Sequence, residues 1–98
     1  MTLNEFKSSQ SDPSPPQHLS EPLQALWWDA NDDWNKAHSI VQVLEDPDAY
    51  WVHAYLHREE GDLGNSNYWY RRAGRDMPKT SLEQEWQTIA TALLSRAR

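Results

Sequence analysis

Apolar residues recur along this chain at helical rather than strand spacing. Leu19, Leu23, Leu26, Trp27 and Ala30 form a first stripe, with Ser20 placed as an N-cap and Pro22 in a first turn where its missing N–H needs no partner. This predicts a helix over about residues 21–30. Asn31 and Asp32 make a turn, Asp32 or Asp33 caps the next helix, and Trp34, Ala37, Val41 and Leu44 make its stripe, which stops before Pro47. Asp48 is read as the cap of a third helix that closes at Gly61, and a fourth runs from about Asn65 to Ala73 and stops at Gly74. Ser81 with Gln84 resembles a capping box, and Leu82, Trp86, Ile89, Ala90, Leu93 and Ala97 give the strongest amphipathic pattern of the chain. No strand candidate rivals these signals. Five short helices joined by short turns predict an all-α domain.

Residues 1–19 (MTLNEFKSSQSDPSPPQHL) are rich in Ser, Pro and Gln and carry only three large apolar side chains, Leu3, Phe6 and Leu19. They read as a flexible tail ahead of a single helical domain over residues 20–98. Across all 98 residues there is no cysteine, which excludes disulfides, thiolate metal sites and thiol catalysis. A domain of this size must then hold together by packing, and six Trp, four Tyr and one Phe supply large buried areas. Trp27 and Trp28 are adjacent, as are Tyr68, Trp69 and Tyr70, so on a helix each set diverges and cannot all enter one core. Aromatic surface is therefore expected at a groove or interface, around Trp27 or Trp28, Trp51 and Trp69.

Lys and Arg number 9 against 15 Asp and Glu, a net charge of -6 that disfavours nucleic acid and anionic membrane surfaces. No apolar run approaches the roughly 18 residues of a membrane span, and the N-terminus lacks the order of a secretory signal, so a cytoplasmic location is expected.

The first two helices repeat in the next two at an offset of 29 residues: Ala25 with Ala54, Asp32 with Gly61, Asp33 with Asp62, Trp34 with Leu63, Ala37 with Ser66, Val41 with Tyr70 and Leu44 with Ala73. A small residue, a Gly-Asp-apolar turn, then small, aromatic and small positions resemble the tetratricopeptide repeat, although Asp32 replaces the glycine and the usual period is ~34 residues. The resemblance implies two helical hairpins, with the C-terminal helix as the cap over the last apolar face. The run from Trp51 to Gly74 (WVHAYLHREEGDLGNSNYWYRRAG), with WNKAH from Trp34 to His38, resembles a family of small uncharacterised proteins found in bacteria and fungi. That resemblance supports the motif and implies no reaction.

His53 and His57 lie four apart on the third helix, with Glu60 three further on, and so share one stripe; Trp51, Val52, Tyr55 and Leu56 take the other side. Two imidazoles at this spacing can share a metal, with Glu60 or Asp62 and His38 completing the shell. Ala54 stands where the zinc-protease motif has its glutamate, and buried histidines bonded to backbone or carboxylate fit the spacing as well, so no metal or cofactor is assigned. Arg58, Arg71, Arg72 and Arg75 make a basic cluster able to bind carboxylate or phosphate. They equally suit helix ends and pairing with Glu59, Glu60 and Asp62.

Two functions follow from these features. One is a helical-repeat binding module that presents His38, Trp51, His53, Tyr55, His57, Arg58, Glu60, Trp69 and Arg72 to a protein, a peptide, a small ligand or a second copy of itself. The alternative is a small metal-dependent or acid–base hydrolase using His53, His57 and Glu60. No phosphate loop, nucleophile elbow or dinucleotide fingerprint is present.

Overall fold

A computed structural model describes residues 1–96; Ala97, on the last predicted stripe, lies outside them. Six helices and a short 3-10 turn make up the regular structure, with no strand among the described residues. They are α1 (Leu3–Ser8), α2 (Glu21–Ala30), α3 (Trp34–Val41), α4 (Pro47–Glu59), α5 (Leu63–Arg72) and α6 (Leu82–Arg96). The all-α expectation holds. No described helix is long and apolar enough to cross a membrane.

Local chemistry sets the helix ends. Asp33, Asp46 and Asp62 each accept a backbone N–H three residues on, so α3, α4 and α5 start with one orphan donor satisfied. Ser81 and Gln84 bond reciprocally ahead of α6. Two predicted starts need correction. Asp46 rather than Asp48 caps α4, because Pro47 sits in the first turn, where its ring is tolerated. With Asp62 as its cap, α5 begins at Leu63, ahead of the predicted Asn65.

The 29-residue register reappears in the turns. Asp32 (φ 62°) and Gly61 (φ 86°) are both left-handed, and the following N–H groups of Asp33 and Asp62 bond back to Trp28 and His57 at 2.9 Å. Asp32 thus takes the glycine's conformation, which Asp tolerates better than most residues. Ala25, Ala54, Ala37 and Ser66 are each 0% exposed, and the Ser66 hydroxyl donates to the Ala54 carbonyl at 2.7 Å. Small residues at these positions let α2 lie on α3 and α4 on α5, the two most extensive pairings of the fold.

The expected flexible tail is the largest departure. Thr2 and Glu5 form a reciprocal capping box that starts α1, and Phe6 is 0% exposed, stacked on Trp86 with ring centroids 5.6 Å apart. Ser9 accepts the Trp27 indole N–H at 3.1 Å, which binds the end of α1 to α2. The helix forms where one aromatic finds an apolar seat on α6, and burial of that ring offsets the weak propensity of a six-residue helix.

Helix α4 packs against α2, α3, α5 and α6 and is the centre of the fold. That position buries Trp51 and Tyr55, which were expected on an open face. Helix α6 joins α4 to α2, with the Trp86 indole donating to the Leu26 carbonyl at 3.2 Å.

Candidate functional site

Three histidines meet where α3 crosses α4. His38 Nε2 lies 3.1 Å from His53 Nε2, and the ring centroids of His38, His53 and His57 are 4.8, 4.9 and 5.2 Å apart. Their closeness follows from the sequence: His53 and His57 stand one turn apart on α4, and His38 is one turn beyond Trp34 on α3. Trp34 stacks on His38 at 4.8 Å and 8°, presents an edge to His57, and donates its indole N–H to the Leu56 carbonyl at 2.8 Å. Trp69 of α5 stacks on His53 at 4.0 Å and 16°. The cluster lies between the two indoles, with His53 4% and His57 6% exposed and His38 half-buried.

Charge cannot accumulate there. Burial, then the neighbouring His38 and His57 and the Arg72 cation, push His53 down to about 3, and burial with His57 lowers His38. His53 is therefore neutral at physiological pH. The Nδ1 atom of His53 has no hydrogen-bond partner, an orphan that costs about 1–3 kcal/mol in a buried position. His57 differs. Its Nδ1 meets Glu60 Oε2 at 2.6 Å, so Nδ1–H donates to the carboxylate and leaves the Nε2 lone pair toward Asn65, whose amide nitrogen is 3.3 Å away. This His–Glu pair has the form of an acid–base dyad. Its imidazole is buried and its second nitrogen is already occupied, so a substrate proton has no route to it in this arrangement.

The predicted basic cluster is divided among three jobs. Arg58 donates to Glu85 of α6 at 2.8 Å and to the Thr80 carbonyl. Tyr70 donates its hydroxyl to the other Glu85 oxygen at 2.5 Å, which completes a buried link between α4, α5 and α6. Arg75 covers the Trp51 ring at 3.4 Å and Lys36 covers Trp28 at 4.4 Å. Arg72 lies over Tyr50, Trp69 and Tyr68 at 4.5, 4.9 and 5.8 Å. The expected pairs of Arg71 and Arg72 with Glu59, Glu60 or Asp62 do not form among the described residues. Cations cover the excess aromatic rings instead.

The predicted site residues thus separate. His38, His53, His57, Glu60 and Trp69 come together in the cluster, with Glu60 at its exposed edge; Arg72 lies outside it, over the Trp69 ring at 4.9 Å. Trp51, Tyr55 and Arg58 belong to the framework. Tyr68, which the nine-residue face omitted, is 53% exposed and is the open aromatic of α5. With Gly64, Asn67, Arg71 and Arg72 it lines a shallow concavity of about 500 Å³. Its place in the Tyr-Trp-Tyr run is the signal, since three consecutive helical residues must point 100° apart.

A second concavity, of about 360 Å³, lies between α2, α4 and α6 and is lined by Asp29, Asp32, Tyr55, Glu59 and Glu83 among others. Asp29 is 7% exposed, and its carboxyl faces the concavity together with that of Glu59. Desolvation, the neighbouring Asp29 carboxyl and the charge of Asp32 push Glu59 up to about 9, and desolvation raises Asp29 as well. This pair was not anticipated, because Asp29 and Glu59 sit on different helices with no motif linking them. Compared with known protein families, curated proteins and solved structures, the chain matches none.

Proposed function

We propose that this protein is a small helical binding module whose recognition surface is the outer face of α5, with Tyr50 of α4 at its border. The observation that carries this reading is Arg72 held over three aromatic rings beside the concavity of Tyr68 and Arg71. Aromatic area with convergent guanidinium groups suits a peptide or protein segment that offers a carboxylate next to an apolar side chain. The rings hold Arg72 in place, so less side-chain freedom is lost on binding. The two hairpins with matching left-handed turns support the tetratricopeptide-like reading, in which paired helices form a scaffold for such a surface.

Titration of the full chain with peptides pairing Glu or Asp with Leu or Phe tests this, with the Trp69 indole resonance as the readout. Acidic peptides are expected to shift it, and Arg72→Ala or Tyr68→Ala, both at exposed positions, to abolish the shift while leaving the circular dichroism unchanged. Sedimentation of the same variants reads self-association. No shift with any peptide, together with a monomeric mass at every concentration, contradicts the proposal.

The hydrolase reading gains no comparable support, because its His57 and Glu60 are already bonded to each other and His57 is buried against the edge of Trp34.

A further inference from the structure

We infer that His38, His53 and His57 form a three-histidine site for a divalent first-row transition ion of the zinc class. This goes beyond the binding face on α5 and does not depend on it.

The geometry comes first. Two nitrogens each ~2.0–2.1 Å from a tetrahedral zinc stand about 3.3 Å apart. His38 Nε2 and His53 Nε2 are 3.1 Å apart, close to that separation. One ligand atom from each of the three histidines lies within 4.8 Å of the others, so the third imidazole has to approach by no more than roughly 1.5 Å to complete the triangle. A small turn of one ring supplies that displacement.

Protonation comes second. A metal needs the neutral imidazole lone pair, and the 3.1 Å approach of the two Nε2 atoms already requires an unprotonated acceptor nitrogen in one of the rings. Without an ion, Nε2 of His38 and Nε2 of His53 can face each other only if one donates and the other accepts, which fixes one lone pair in a bond and leaves His53 Nδ1 unpartnered. With an ion, both Nε2 lone pairs point to it, and the single proton held between them moves to Nδ1 of its own ring, the other ring already carrying its proton there.

The surroundings come third. Glu60 accepts from His57 Nδ1–H, the carboxylate–histidine arrangement that orients a ligating ring and raises its basicity, and Nε2 becomes the ligating atom by turning from the Asn65 amide, 3.3 Å away, to the ion. Trp34 and Trp69 clamp His38 and His53 face-on and exclude water on two sides, while half-buried His38 leaves an approach from solvent. An all-imidazole set with no thiolate and no carboxylate in direct contact selects zinc, copper or nickel over magnesium or calcium. The fourth tetrahedral position is left for water.

Untagged full-length protein, stripped with chelator and dialysed, is titrated with Zn²⁺ by calorimetry and with Co²⁺ by visible absorption. One Zn²⁺ per chain and an intense tetrahedral Co²⁺ spectrum are expected. His38→Gln and His57→Gln should each weaken binding roughly tenfold or more, and His18→Gln, at an exposed position ahead of α2, should leave it unchanged. The inference is overturned by less than one Zn²⁺ per wild-type chain at saturation, by a weak octahedral Co²⁺ spectrum, or by equal affinity in wild type and His38→Gln. The wild-type spectrum decides the matter even if a histidine variant fails to fold.

Discussion

Trp69 lies flat on His53, their ring centroids 4.0 Å apart, and the indole is what separates the imidazole from solvent on the α5 side. The two residues come from different helices of one hairpin and depend on each other: the indole desolvates the ring, and the neutral ring gives the indole an apolar seat. Trp69→Leu should therefore raise the His53 pKa from about 3 toward the ordinary 6.5, as read from imidazole resonances in a pH titration. It should also cost about 2 kcal/mol in chemical denaturation, less than the ~3–5 kcal/mol of a fully buried aromatic, because Trp69 is partly exposed. Trp69→Phe should retain most of both effects. An unchanged His53 titration in Trp69→Leu contradicts the shielding role.

Stability should peak in mildly acidic solution, because two groups act in opposite directions. His53 is depressed from 6.5 to about 3, so the unfolded chain takes up a proton that the folded chain refuses; its contribution is present above pH 6.5 and is lost as pH falls toward 3. Glu59 is raised from 4.5 to about 9, so the folded chain keeps a proton that the unfolded chain has released; its contribution is present below pH 4.5 and is lost as pH rises toward 9. Between 4.5 and 6.5 the two slopes offset each other. Denaturation midpoints across this range should fall on both sides of that window. Glu59→Gln should flatten the alkaline limb and His53→Gln the acidic one. A wild-type midpoint that climbs steadily into alkaline solution contradicts this account.

Phe6→Ala should destabilise the protein by about 3 kcal/mol, the scale of an emptied aromatic site, because Phe6 is 0% exposed and stacked on Trp86. Removal of residues 1–11 should do at least as much and should quench or shift the Trp86 signal. If truncation leaves the denaturation curve in place, α1 is not part of the folded unit.

Arg58→Ala should cost about 3–5 kcal/mol, since it leaves Glu85, 3% exposed, without its cation. Arg58→Met combined with Glu85→Leu should recover most of the loss, because both charges then leave the interior together and only the Tyr70 hydroxyl loses its acceptor. A double-mutant cycle by urea denaturation measures the coupling. A double variant that loses the sum of the two single losses contradicts a coupled ion pair.

The sequence by itself determined the helical class, the number of core helices after the N-terminal segment, and most of their ends. These depend on neighbours a few residues apart: the 3.6-residue stripe, Asp33, the Ser81–Gln84 pair, and the left-handed turns at Asp32 and Gly61. Two further local signals were there to read. Thr2 and Glu5 spell a capping box just ahead of Phe6, and Asp46 before Pro47 spells the start of α4. The 29-residue register and the His53–His57–Glu60 stripe were equally visible, and the stripe correctly joined three members of the cluster.

Tertiary structure alone decided what those residues meet. A side chain's burial depends on what packs over it, and α4 is surrounded by four helices, so Trp51 and Tyr55 became framework instead of an open face. Phe6 meets Trp86, Arg58 meets Glu85 and Asp29 meets Glu59 across separations that no local period encodes. The surplus of aromatic rings, legible as a count, was resolved only in space: Lys36 and Arg72 lie on the rings that the core cannot hold. For the same reason the three histidines, separate in sequence, share one cluster only because α3 crosses α4 at Trp34.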